Sequence, residues 1–276
     1  MLPFFGNLAM IPIATGIKIG FSVEVRGSGT TPPSTPPRIG VLLRACGFTQ
    51  TITTTVGAER VDYDPHSAQD GESVTIYFFH DGALYRALGC VGTSVKLSAK
   101  VNDIAKFDFE FIGMFGGHAH FATAAAFPSP TFGDAAVPPV FRSGSFNYGG
   151  FAGGNAIVDT IEIARENAVA KRPDVNAPFG VRRYSYTGRE FSGSFDPEVI
   201  SLAIWTPWLN WEVPVVGGLT VMIGTVVGNR LTITVPNCQL DAPKIGAREG
   251  IQTYALAFKA RTALAAGNNE VQFRFN

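Results

Sequence analysis

Charge, cysteine and histidine are scarce in this chain, and each shortage removes a class of function. Charged residues make up 16% of the 276 positions, against about a quarter in an ordinary globular protein. Lys plus Arg and Asp plus Glu each number 22, so no basic excess points to nucleic-acid binding across the surface. A chain so poor in charge buries much of its surface against partners or hides its backbone in extensive sheet. Its zero net charge favours self-association. Cys46, Cys90 and Cys238 lie far apart with no Cys-x-x-Cys pair, which argues against a disulfide framework and suits buried free thiols. Unbroken hydrophobic runs are missing too. Residues 1–20 are apolar, but Pro3 and Pro12 interrupt them and the first charge, Lys18, follows the run. That reads against a secretory signal. No stretch is long and unbroken enough to span a membrane, so synthesis in the cytoplasm is expected, with no membrane partner.

Catalytic groupings are equally thin. The histidines are His66, His80, His118 and His120. His118 and His120 could share a strand face, a spacing known in metal sites, but no cysteine or carboxylate cluster stands near them in sequence. Ser143-Gly144-Ser145 and Ser192-Gly193-Ser194 do not match the Gly-x-Ser-x-Gly elbow. The Gly-rich stretch at 149–155 lacks the Lys-Ser/Thr that a phosphate loop needs. Asp108 and Glu110, two apart, read as the wet side of a strand rather than an acid/base pair. No cofactor, metal or catalytic residue is expected.

What the chain does have is period-2 alternation. Ile19, Phe21, Val23 and Val25 form one face of a half-buried strand. Residues 73–79 and 83–88 flank His80-Asp81-Gly82, a hairpin with a turn that tolerates positive φ. Residues 94–101 lead through Asn102-Asp103 into a strand with Phe107, Phe109 and Phe111 on one face and Asp108 and Glu110 on the other. A further hairpin spans 219–235 around Gly228-Asn229, and strands are expected at 252–259 and 270–275. Helix signals are few. Asp196-Pro197-Glu198 is a start signal for a short helix over 199–205 that Pro207 stops, although alternation suits those residues equally. A looser helical period covers 160–171.

Two segments are irregular. Residues 28–37 carry four prolines and read as an exposed loop. Residues 113–155 are rich in Gly, Ala, Pro and Phe, and poor in charge. Phe115, Phe121, Phe127, Phe132, Phe141, Phe146 and Phe151 are hard to explain on a solvent-exposed loop. These, with Phe273 and Phe275 of the last strand, are the candidate subunit-interface residues. Trp205, Trp208 and Trp211, three apart, suit an aromatic anchor. They also leave open a β-sandwich carbohydrate- or receptor-binding module. The fold expected is mainly β, an antiparallel sandwich or barrel-forming subunit with a short flanking helix and long loops, in a single domain over 1–276.

Several stretches, in order, resemble the tail tube proteins of long-tailed, non-contractile bacteriophages. They are Arg-Ile-Gly-Val-Leu-Leu-Arg-Ala-Cys-Gly at 38–47, Ser-Val-Thr-Ile-Tyr-Phe at 73–78, and Phe-Asp-Phe-Glu-Phe-Ile-Gly at 107–113. Gly-Ala-Arg-Glu-Gly-Ile-Gln-Thr-Tyr at 246–254 and the closing Asn-Asn-Glu-Val-Gln-Phe-Arg-Phe complete the set. Similar proteins carry an additional N-terminal segment ahead of the first matching strand, where this chain has almost none. The resemblance implies a β-sandwich-like structural subunit of the virion tail with no enzymatic role. It implies too that six copies form a ring whose inner sheets join into a barrel, and that rings stack into a tube that conducts DNA during ejection. It implies as partners the chain itself, a tape measure protein and a tail terminator, with genomic DNA passing unbound. DNA must not stick in transit, so the lumen is expected to be neutral to acidic.

Overall fold

The computed structural model describes residues 16–80, 82–120, 136–149, 156–177, 180–202, 205–213, 216–263 and 267–276. The first strand, β1 (Gly16–Glu24), leads through the proline loop to a short helix, α1 (Gly40–Ala45). A hairpin follows, β2 (Phe48–Thr53) and β3 (Arg60–Pro65), and then three long neighbours, β4 (Val74–His80), β5 (Ala83–Lys100) and β6 (Lys106–His120). Beyond β7 (Ser145–Tyr148) come β8 (Val158–Pro173) and β9 (Val181–Pro197). The chain closes with α2 (Pro207–Glu212), β10 (Val216–Ile223), β11 (Leu231–Leu240), β12 (Lys244–Arg248), β13 (Ile251–Arg261) and β14 (Gln272–Phe275).

Every pairing is antiparallel, in the order β1-β6-β5-β8-β9-β13-β11-β14-β3-β2, and the sheet does not close into a barrel. It folds back on itself instead. Phe107 of β6 meets Phe273 of β14 edge-on at 5.4 Å, and Phe48 of β2 meets Phe191 of β9 at 6.2 Å. One hydrophobic core therefore lies between the two halves of the strand path. The alternation at 107–111 is realised fully: Phe107, Phe109 and Phe111 are 0–1% exposed, and ring-to-ring spacings of 5.9 Å run along the strand. Burial of rings of this size stabilises the fold by about 1.5–3 kcal/mol each.

Three expectations need correction. Residues 160–171 lie in β8, not in a helix, because Ile161, Ile163, Arg165 and Asn167 alternate inward at strand period. No helix starts at Pro197, which ends β9. The Asp196 carboxylate accepts backbone N–H bonds from Asp159 and Thr160 at 3.0 and 2.7 Å and pairs with Arg248 at 2.9 Å, so it caps no helix. The helix begins instead at Pro207, whose fixed φ and missing N–H suit the first helical position. The third correction concerns 113–155. Residues 113–120 continue β6, pairing with β5 as far as Ala83↔His120, and 145–148 form β7 beside β10.

Candidate functional site

The half of the sheet holding β1, β6, β5, β8 and β9 has two unlike faces. The core face carries the phenylalanines. On the opposite face the register sets Ser22 beside Asp108, Asp108 beside Lys96, Lys96 beside Ala164 and Ala164 beside Ser192. The adjoining rows run Gly20, Glu110, Ser94, Glu166, Glu190 and Glu24, Lys106, Ser98, Glu162, Ser194. Small serine, glycine and alanine side chains thus separate carboxylates from ammonium groups. Ion pairs join Lys96 to Glu162 at 2.8 Å and, from β13, Lys259 to Glu190 at 2.5 Å. Ser22 donates to Asp108.

In these three rows six carboxylates (Glu24, Asp108, Glu110, Glu162, Glu166, Glu190) stand with Lys96 and Lys106. Lys18, Lys100 and Lys259 border them, as do Arg26, which pairs with Glu24 at 2.6 Å, and Arg261, two residues beyond Lys259 on β13. Two more arginines stand apart from this face. Arg60 and Arg274, on β3 and β14, both pair with the buried Asp62 on the far half of the sheet, at 2.8 and 2.7 Å. The difference matters chemically, because a guanidinium fork grips phosphate in two places and an ammonium does not.

Beside this face runs an edge. Among the described residues β1 is bonded to β6 alone, as β4 is to β5 and β2 to β3. Unpaired strand edges offer N–H and C=O groups to another chain.

This half of the sheet is fastened to α1 by a buried polar clasp. Arg165, 3% exposed, lies over the rings of Phe48 and Phe191 at 4.6 and 5.3 Å. It donates to Asn167 Oδ1 at 2.7 Å and to the Gly47 carbonyl at 2.8 Å. Asn167 in turn donates to the carbonyls of Cys46 and Gly92, and Tyr186 donates to that of Ala45. Gly47 has φ +88°, and any Cβ there would lie 2.5 Å from the Arg165 guanidinium. The Ala-Cys-Gly that ends the 38–47 motif is therefore the docking point of the helix. Arg165 and Asn167 were legible only as polar residues at the inward phase of a strand. Burial lowers Arg165 to about 10, still charged at neutral pH.

The expected interface residues separate. Phe273, Phe275 and Phe141 are covered by their own chain, at 2, 3 and 7% exposed. Phe146 packs on Phe195 at 5.3 Å. Phe115 stacks on His118, which also faces Tyr85. Phe121, Phe127, Phe132 and Phe151 lie outside the described residues. The tryptophan row is split as well: Trp205 is buried against Tyr148 and Tyr254, while Trp208 and Trp211 ride on α2. No single indole platform results.

Among the described residues no group of three or more His, Cys, Asp or Glu side chains is placed to hold a metal. No helix there is long and apolar enough to cross a membrane. A polar cavity of about 340 Å³ lies beside the clasp. In it Arg189 bonds Glu270 at 2.8 Å, and burial with the nearby guanidiniums of Arg165 and Arg189 holds His66 below its ordinary value.

The family described as phage tail tube protein matches residues 12–260 of the chain. No curated protein matches it.

Proposed function

This chain belongs to the phage tail tube protein family, and from that premise we propose which surface does what. Six copies close into a ring, with the lysine–carboxylate face of β1, β6, β5, β8 and β9 turned inward as the wall of the lumen. Rings stack into a tube, and DNA passes through it during ejection without specific binding. The edge strand β1 pairs with a neighbouring copy, which removes an otherwise open edge. A tape measure protein and a tail terminator are the other partners, and the chain has a structural rather than an enzymatic role.

The observation that carries this reading is the chemistry of the polar face. Carboxylates slightly outnumber ammonium groups there, and short side chains lie between them. Phosphate slides past such a wall, whereas an arginine-lined bore would hold it and release counterions in doing so. Size agrees as well. Five strands about 4.8 Å apart span about 24 Å per copy, so six copies enclose a backbone circle about 45 Å across.

Negative-stain microscopy of the concentrated protein tests the assembly. Rings and tubes are expected; a strictly monomeric protein at every concentration tried would overturn the reading.

A further inference from the structure

We infer that the β4–β5 hairpin is a docking arm that seats on a second copy of this chain, in a valine- and proline-lined groove at the opposite end of β5. The inference rests on the tube reading above and names two of the surfaces that meet along the tube.

The arm is apolar on both faces. Phe78 and Tyr85 are paired across the hairpin on one face, and Tyr77 points to the other. Tyr77 and Phe78 are each 55% exposed and Tyr85 38%. One face opens onto a cavity shared with Ile17 and Ile19 of β1, yet the rings on it stay part-exposed, as does Tyr77 on the other face. Strands covered on both faces are the ones that read this way. β8 reaches β5 only from Ser94 onward, and the pairing of β1 with β6 ends at Met114, so the arm extends past the body of the sheet.

The groove lies at the other end of the same strand. Directly after β5, the Asn102 N–H donates to the Phe141 carbonyl at 3.0 Å, and the Phe141 N–H to the Asp103 carbonyl at 2.9 Å. These bonds pin residues 136–142 to the turn that follows β5. Together with the β10–β11 loop they enclose a groove of about 470 Å³, lined by Val137, Pro138, Pro139, Val226 and the guanidinium of Arg142. Val137 is 78% exposed and Val226 67%. Eighteen strand residues separate the two sites, about 60 Å at 3.3 Å each.

The two surfaces complement one another. Rings of about 200 Å² each, exposed to the fractions given, leave roughly 300 Å² of aromatic surface on the arm. That reaches the size of the largest apolar patch tolerated on a monomer and is a substantial part of the ~800 Å² that one partner gives to a stable interface. Arg142 supplies a cation for the aromatic faces. A contact between unlike patches at opposite ends of a molecule is heterologous and open-ended, the symmetry a growing tube needs.

Cysteine cross-linking tests the contact. Cys46, Cys90 and Cys238 are buried, so a thiol-reactive cross-linker reads only introduced thiols in the folded protein. The double variant Tyr77→Cys/Val226→Cys should give a ladder of covalent multimers in assembled tubes, and neither single variant should. Phe78→Ser should keep the wild-type thermal midpoint yet raise the concentration needed for tubes by roughly tenfold or more. Tubes that form without the mixed cross-link, or a Tyr77→Cys single variant that links to itself, would overturn the arm-to-groove contact and leave the tube reading standing. A wild-type chain that never assembles would sink both.

Discussion

Cys46, Cys90 and Cys238 carry the clearest consequence at the scale of single residues. Burial pushes the first and last up to about 12 and Cys90 to about 11, from an ordinary 9.0. An unfolded chain ionises these thiols near pH 9, while the folded chain keeps them protonated. Their contribution to stability is therefore complete below pH 9 and is lost as pH rises toward 12. For Cys46 and Cys238 the loss steepens steadily above pH 9. Burial raises the phenols of Tyr63, Tyr148 and Tyr186 as well, which steepens the fall above pH 10. Arg165 works the other way, gaining stability for the fold as pH rises from about 10 toward its ordinary, higher value, but one guanidinium does not offset three thiols and three phenols. Denaturant midpoints measured from pH 7 to 10.5 should be flat to about pH 8.5 and fall beyond pH 9. A midpoint unchanged at pH 10.5 would mean that the thiols are not held protonated by the fold.

At the scale of elements, the junction between α1 and β5 is tight enough to test. A Cβ added at Gly92 would lie 2.2 Å from Cys46 Sγ and 3.0 Å from its Cα, so Gly92→Ala must push the helix off the sheet. Overpacking of this kind costs about 1–3 kcal/mol. Cys46→Ala removes the nearest atom, so the double variant should recover part of the loss, measurable as coupling in a double-mutant cycle. Strict additivity would mean that the helix does not seat on Gly92. This junction also shows where sequence reading stops. Phe107, Phe109 and Phe111 announced their strand because one face was wholly apolar. β8 did not, because its inward row includes Arg165 and Asn167, whose burial makes sense only once the Cys46, Gly47 and Gly92 carbonyls lie opposite. The start signal at Asp196-Pro197 misled for a similar reason. A carboxylate that could cap a helix was engaged by Arg248, 52 residues away in the chain. Phe273 and Phe275, expected at an interface because a terminal strand must pair with something, pair inside their own chain.

For the whole molecule, the antiparallel β architecture was legible from alternation and the ordered motifs, but the polar face was not. Lys96, Asp108, Glu162 and Glu190 are scattered over 95 positions and become one surface only through the register of five strands. Near-zero net charge hid a local division, with Arg60 and Arg274 sharing Asp62 on one half and a lysine–carboxylate lattice on one face of the other. A cryo-EM reconstruction of tubes assembled from the purified chain tests that division most directly. The bore should be lined by Glu110, Glu166, Lys96 and the serines between them. A bore lined by Arg60 and Arg274, with the β1–β6–β5–β8–β9 face turned to solvent, would contradict the account.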